Sequence, residues 1–190
     1  MSHSPENNPP PTEPPPVPNV EPRYAGFWIR VGAWMIDFLI VLVPSIAIAF
    51  VGAPALYLLL ALLLILYKPF FESLLAATPG KMLLGLQVTD TGLKKVGFAS
   101  AVIRNVFAIL PGLTNTFSGY KQKAEGINPF NPQQMEAFTE ANKMLVYGTW
   151  VLLAVWIVTV LFVAFTRHKK GLHDMLADTR VVYKETLPKA

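Results

Sequence analysis

The sequence predicts an all-α membrane protein, a polytopic helical bundle of four membrane segments with both termini on the cytoplasmic side and a short surface hairpin. Three observations carry this expectation. The chain is 53% apolar and only 15% charged, a balance that suits a bilayer better than a 190-residue soluble domain. Its apolar residues arrive in blocks, with no charge between Phe38 and Tyr67 or between Met144 and Thr166, whereas a spanning helix needs roughly 20 mostly apolar residues. Its basic residues flank these blocks, as the positive-inside bias requires.

Residues 1–22 hold nine prolines and three glutamates. No basic cluster leads into a short apolar core, so the stretch does not resemble an export signal. It is too polar and too proline-rich to bury a core, and it is expected to form a disordered cytoplasmic tail. The membrane domain is expected over 24–184, followed by a C-terminal tail at 185–190.

The first span is expected at about 26–51, with Trp28 and Trp34 near the headgroup layer and Pro44 as a potential kink. Gly52-Ala53-Pro54 interrupts the helix too briefly for a loop domain. A second span should therefore return at once, over about 54–71. After Thr78-Pro79-Gly80-Lys81, the alternation from Leu83 to Gly92 suggests a small strand or hairpin.

The segment 98–117 is ambiguous. Ala99, Val102, Ile103, Val106, Phe107 and Leu110 repeat at helical spacing, and Arg104 interrupts them. Charge resolves the count in favour of a crossing. Arg23, Lys68, Lys81, Lys94 and Lys95 mark one side of the membrane, and Arg167, Lys169 and Lys170 mark the same side after the last apolar run at 144–166. An even number of crossings satisfies both clusters, with 118–142 as a polar external loop. The competing arrangement has three spans, with residues 98–110 lying flat at the interface.

Charges at membrane depth are the candidate functional groups, because an ionised side chain there costs about 2.5–3.5 kcal/mol on insertion scales and survives by facing protein or water. Arg30 and Asp37 lie two helical turns apart on one stripe. Arg30 can reach the headgroups, whereas Asp37, about 16 Å into the helix from Gly26, needs a hydrogen-bonding partner or a neutralising pKa shift. Arg104 enters from the same side and is the expected partner of Asp37 in a bidentate pair. A pair of this kind serves either as a transport site or as structural glue that fixes helix register. In the tail after the last span, Asp174 and Asp178 would share a helix face that reaches Arg30, with a solvated surface turn as the alternative.

Other chemistries lack an anchor. His168 and His173 match no metal-ligand spacing, and no metal or other cofactor is expected. Gly80-Lys81 is not a phosphate loop, because Leu75 and Met82 stand where that motif requires a glycine and a hydroxyl residue. No nucleophile and base stand together, so an enzyme is not expected. The net charge of +4 is distributed around apolar blocks, which favours a bilayer partner over nucleic acid.

Four stretches together resemble the RDD family of small bacterial membrane proteins: Gly26 to Asp37, Thr78 to Val88, Arg104-Asn105, and Leu172 to Val182. Carried across, the arginine and two aspartates that give that family its name fall on Arg30, Asp37 and Asp174. The likeness covers about 24–184. It departs from the family's usual pattern in the long polar insertion around 119–142 and in Asp178, where glycine is common. It implies a bacterial cytoplasmic membrane. Some members of the family have been linked to sodium/proton antiport, and related domains occur in membrane assembly factors.

The expected function is therefore a small-cation/proton transporter that uses a network of Arg30, Asp37, Arg104, Asp174 and Asp178. The alternative is a non-transporting scaffold or accessory subunit. Four short spans leave little room for alternating access, so transport implies a homo-oligomer, whereas the scaffold implies a membrane protein partner. Lys94, Lys95, Arg167, Lys169 and Lys170 form a basic rim suited to lipid headgroups.

Overall fold

The computed structural model describes residues 22–166 and 169–187; the proline-rich segment before residue 22 and Arg167 lie outside the described residues. Among the described residues seven α-helices and two strands follow one another, with a short 3-10 turn (Lys184–Thr186) at the end: α1 (Phe27–Ala49), α2 (Pro54–Leu75), α3 (Pro79–Leu83), β1 (Leu86–Asp90), α4 (Phe98–Ala124), α5 (Pro132–Ala141), α6 (Lys143–Phe165), α7 (Leu172–Leu176) and β2 (Thr179–Tyr183). Proline opens α2, α3 and α5, where its fixed φ suits the first turn and its missing N–H costs nothing.

Among the described residues, α1, α2 and α6 are long and apolar enough to cross a membrane. Their outward faces are apolar and exposed, including Leu39, Val43 and Ile46 on α1 and Val151, Val158 and Leu161 on α6. In water such a surface would be a large aggregation liability; against lipid it is the expected surface. The uncharged runs thus become helices of spanning length, although α2 continues four residues beyond the expected end at residue 71, because Pro69 is absorbed inside it.

Helix α4 is the polar member of the bundle. It runs alongside α2 and α6 and turns Arg104 and Thr116 inward, at 5% and 6% exposure. It continues unbroken through Pro111 to Ala124. Its far end meets the α1–α2 turn, where Lys123 Nζ donates to the Ala49 carbonyl at 2.9 Å and sits over the Tyr57 ring. A Cβ on Gly119 would fall 2.2 Å from the Tyr57 hydroxyl, so glycine is what allows α4 to approach α2 so closely.

The expected polar loop over 118–142 requires correction. Residues 118–124 complete α4, and α5 occupies most of the remainder. Asn131 caps α5 by accepting from the backbone N–H groups of Gln133 and Gln134, and Phe138 is inserted into the bundle at 3% exposure.

At the opposite end sits a small cap. Strand β1 pairs antiparallel with β2, aligning Leu86 with Tyr183, Val88 with Val181 and Asp90 with Thr179. The predicted strand is therefore present, but its main partner is distant in sequence, and the local turn adds only the Thr89–Lys95 bridge. The segment before α1 lies along the other edge of β2: Ala25 N–H donates to Val181 O at 2.9 Å, and Tyr183 N–H donates to Arg23 O at 3.0 Å. Ala25, Ala33, Leu86, Val88, Val96 and Val181 form a buried apolar core beneath this sheet. The N-terminal end of α1 is thereby joined to the C-terminal strand.

Candidate functional site

Asp37 is 3% exposed, and its carboxylate is held by neutral donors. Thr78 Oγ1 donates to Oδ2 at 2.6 Å, Gly80 N–H donates to Oδ1 at 2.8 Å, and the Tyr67 hydroxyl donates to Oδ1 at 3.3 Å. Thr78 is the N-cap residue of α3, so Asp37 caps this short helix from outside and satisfies one of its orphan N–H groups. Close approach is essential here, because a Cβ on Gly80 would lie 2.1 Å from the Ala33 carbonyl oxygen. The motif Thr78-Pro79-Gly80 thus builds a receptor for one carboxylate.

The expected Asp37–Arg104 pair does not form. Arg104 instead bridges two other carboxylates: Nε lies 3.5 Å from Glu72 Oε2, and Nη2 lies 3.2 Å from Asp174 Oδ1. Arg30 Nη1 donates to Asp174 Oδ2 at 2.5 Å. The rest of its guanidinium is held by backbone carbonyls, with Nε on Ala25 O and Nη2 on Lys169 O. Arg30 therefore does not extend to the headgroups. Lys81 Nζ pairs with Glu72 Oε1, and Asn105 Nδ2 donates to Glu72 Oε2 at 2.9 Å.

These contacts form a chain of alternating sign, running Arg30, Asp174, Arg104, Glu72 and Lys81, with one member from each of α1, α7, α4, α2 and α3. Glu72 and Asp174 are 1% and 0% exposed. Each carboxylate is bracketed by two cations, which compensates the desolvation that burial imposes. Gly171 N–H also donates to Asp174 Oδ2 at 3.1 Å, fixing the start of α7. Burial raises the Asp174 carboxyl, but Arg104 and Arg30 outweigh it and hold the group well below the ordinary carboxylate range. Burial pushes His173 down to about 4 despite Asp174 beside it. It likewise pushes Lys81 down to about 8, against the attraction of Glu72.

Asp178 is not part of this cluster. Helix α7 ends at Leu176, and Asp178 follows with φ of +47°, so the two aspartates do not share a helix face. Its exposed side chain accepts from Thr91 Oγ1 at 2.8 Å and stands 4.0 Å from Lys170 Nζ. Lys94, Lys95 and Lys169 are exposed and Lys170 is half-buried around the cap; Lys95 Nζ reaches the Leu74 carbonyl.

Glu72 and Lys81 are the network members that sequence reasoning missed. Glu72 was visible as the only carboxylate within α2, but its cations arrive from α3 and α4. Lys68 also departs from expectation. It is read from sequence as a flanking charge, yet it lies inside α2, seven residues before its end. It makes no ion pair or hydrogen bond among the described residues.

Lys68 lines two cavities in the bundle. The larger, about 590 Å³, reaches from Lys68 and Asp37 past Trp34, Trp156 and Trp150 to Phe138 of α5. The smaller, about 290 Å³, is bounded by Arg30, Glu72, Lys81, Arg104 and His173. Trp34, Asp37, Lys68, Asn105, Ala108 and Trp156 belong to both walls, so the two spaces adjoin at Lys68 and Asp37. The ionic chain closes one end of this space, and α5 covers the other.

The model of the RDD family matches residues 24–178, a span that contains β1, the ionic chain and all four long helices and ends just before β2. Neither the curated proteins nor the solved structures give a match.

Proposed function

This chain belongs to the RDD family, and we propose that it is a membrane transporter for a small ion, with the space between α1, α2, α4 and α6 as its passage. The observation that carries this reading is the pair of adjoining cavities whose shared wall holds Lys68 and Asp37. Charged groups facing an interior space at membrane depth are what ion coupling requires. In this reading α4 is the fourth crossing, since it runs alongside α2 and its mid-helix charge, Arg104, faces inward. Both termini and the cap face the cytoplasm of a bacterial cell, at its inner membrane. The basic rim of Lys94, Lys95, Arg167, Lys169 and Lys170 meets lipid headgroups, and a homo-oligomer supplies the support that one small bundle lacks. The ionic chain is the cytoplasmic closure of the passage.

Cation/proton exchange at Asp37 requires a carboxylate oxygen to become available by release of Thr78 or Gly80. Proteoliposomes containing the purified protein and an internal pH dye test the reading. A gradient of sodium, potassium or an organic anion should drive a proton flux that Lys68→Met and Asp37→Asn reduce at least tenfold. Equal flux in wild type, both variants and empty liposomes would remove the transport reading.

One observation favours a scaffold instead. Asp37 is fully occupied by neutral donors, as a purely structural residue would be. A scaffold predicts a stoichiometric membrane partner in a gentle detergent pull-down, together with flux no greater than that of empty liposomes.

A further inference from the structure

Four cations, Arg30, Lys68, Lys81 and Arg104, stand around the two cavities and the ionic chain, against three carboxylates, Asp37, Glu72 and Asp174. The set carries one positive charge in excess; Asp37 is the one carboxylate here without a cation in contact, and Lys68 the one cation without a carboxylate in contact. Arg30, Lys81 and Arg104 each contact a carboxylate. Asp37 has both oxygens engaged by Thr78, Gly80 and Tyr67. Lys68 alone among these cations makes no ion pair and no hydrogen bond among the described residues, and it faces both cavities. Lys68 is half-buried and shares the cavity wall with Asp37, so its ammonium has that charge nearby but no acceptor in contact, a position that a bound anion can fill.

From this arrangement we infer that the larger cavity is a binding site for an amphipathic organic monocarboxylate, its carboxylate on Lys68 and its apolar body between the aromatic walls. This deepens the transport reading and rests on it only for the ligand's fate, since binding can be measured alone. A single negative charge matches the single excess positive charge. Beyond Lys68 the wall carries Trp34, Phe38, Trp150 and Trp156 beside Asp37 and polar side chains such as Asn115 and Gln122, which suits an amphipathic ligand and offers no second cation for a dianion. A volume of about 590 Å³ lies within the usual range of small-molecule sites.

Three of the four tryptophans line this cavity, so binding has a direct optical signal. The full-length protein in lipid nanodiscs is titrated with bromoundecanoate, whose bromine quenches indole fluorescence. Matched titrations use bromoundecanol, a bromoalkyl trimethylammonium and a brominated anionic phospholipid. The expected result is saturable quenching by the carboxylate alone, retained in Lys68→Arg and at least tenfold weaker in Lys68→Met. Near-UV circular dichroism confirms that each variant is folded. The inference is overturned if Lys68→Met binds as tightly as wild type, or if the alcohol and the ammonium quench as the carboxylate does, which would mean partition into the bilayer. It is also overturned if only the phospholipid saturates, which would assign Lys68 to a lipid headgroup. Loss of binding with cation-driven flux intact would remove this inference alone, whereas binding without any flux would remove the transport reading and leave the site.

Discussion

Replacing Glu72 with glutamine removes the charge at the centre of the alternating chain while keeping its volume. In the native protein Glu72 neutralises Lys81, shares Arg104 with Asp174 and accepts from Asn105, at 1% exposure. The amide's single oxygen accepts from Lys81 or from Asn105 but not from both, since the two donate to different carboxylate oxygens, and the amide leaves the Lys81 ammonium without a countercharge and gives Arg104 only Asp174. Breaking one side of a buried pair costs about 3–5 kcal/mol, chiefly because the surviving charge stays buried. That magnitude is a large fraction of the stability of a domain this size. The matching variant, Glu72→Gln with Lys81→Met, removes the stranded charge and should recover more than half of the loss. Equilibrium unfolding in mixed micelles, followed by tryptophan fluorescence, gives both quantities, and the two single variants with the double close a thermodynamic cycle. The coupling should exceed about 1.5 kcal/mol. A cost for Glu72→Gln below about 1 kcal/mol, or additive single and double variants, would refute the claim that this chain of charges clamps the cap end of the bundle. If Glu72→Gln does not fold, Lys81→Met alone supplies the test, since Glu72 then retains Arg104 and the loss should be smaller.

Other expectations follow from the same geometry. Gly80→Ala should cost about 3 kcal/mol through overpacking, because its Cβ would sit 2.1 Å from Ala33 O. Asp37→Asn should cost about 1–3 kcal/mol through a lost acceptor; a Gly80→Ala protein with an unchanged unfolding midpoint would contradict the docking of α3 on Asp37. Acid should weaken the cap through His173. Its folded pKa of about 4 lies below the unfolded value of about 6.5, so between those values the unfolded chain binds the extra proton and stability falls as pH falls, by about 3 kcal/mol in all. Asp174, depressed in the folded state, adds a further loss below the ordinary carboxylate range. His173→Asn should flatten the slope between pH 6.5 and 4 in unfolding measured against pH, and parallel slopes would contradict this account. Asp178→Asn should change stability by less than about 0.5 kcal/mol, whereas Asp174→Asn should cost several times that; equal costs would put Asp178 back in the network.

The sequence by itself determined which segments are helices of membrane length. Long uncharged runs from Phe38 and from Met144 have no low-cost alternative in lipid, where every backbone group must be satisfied within its own segment. It also singled out Asp37 as a charge that needs a partner and Arg104 as one that enters the same depth, because the cost of a charge at depth is a property of the residue and its flanks. Only the tertiary structure decided who pairs with whom. Asp37 takes its donors from Thr78 and Gly80, because α3 folds back against α1 and the absence of a Cβ at Gly80 admits it. Arg104 is then free for Glu72 and Asp174, which α2 and α7 deliver. Asp178 leaves the network because the chain turns left-handed there. Strand β1 finds β2 across half of the chain, a contact whose partner no local pattern names. Lys68 reads in sequence as a boundary charge and in space as the unpaired cation of a cavity, since hydropathy records how apolar a segment is but not which side of its helix meets an empty interior.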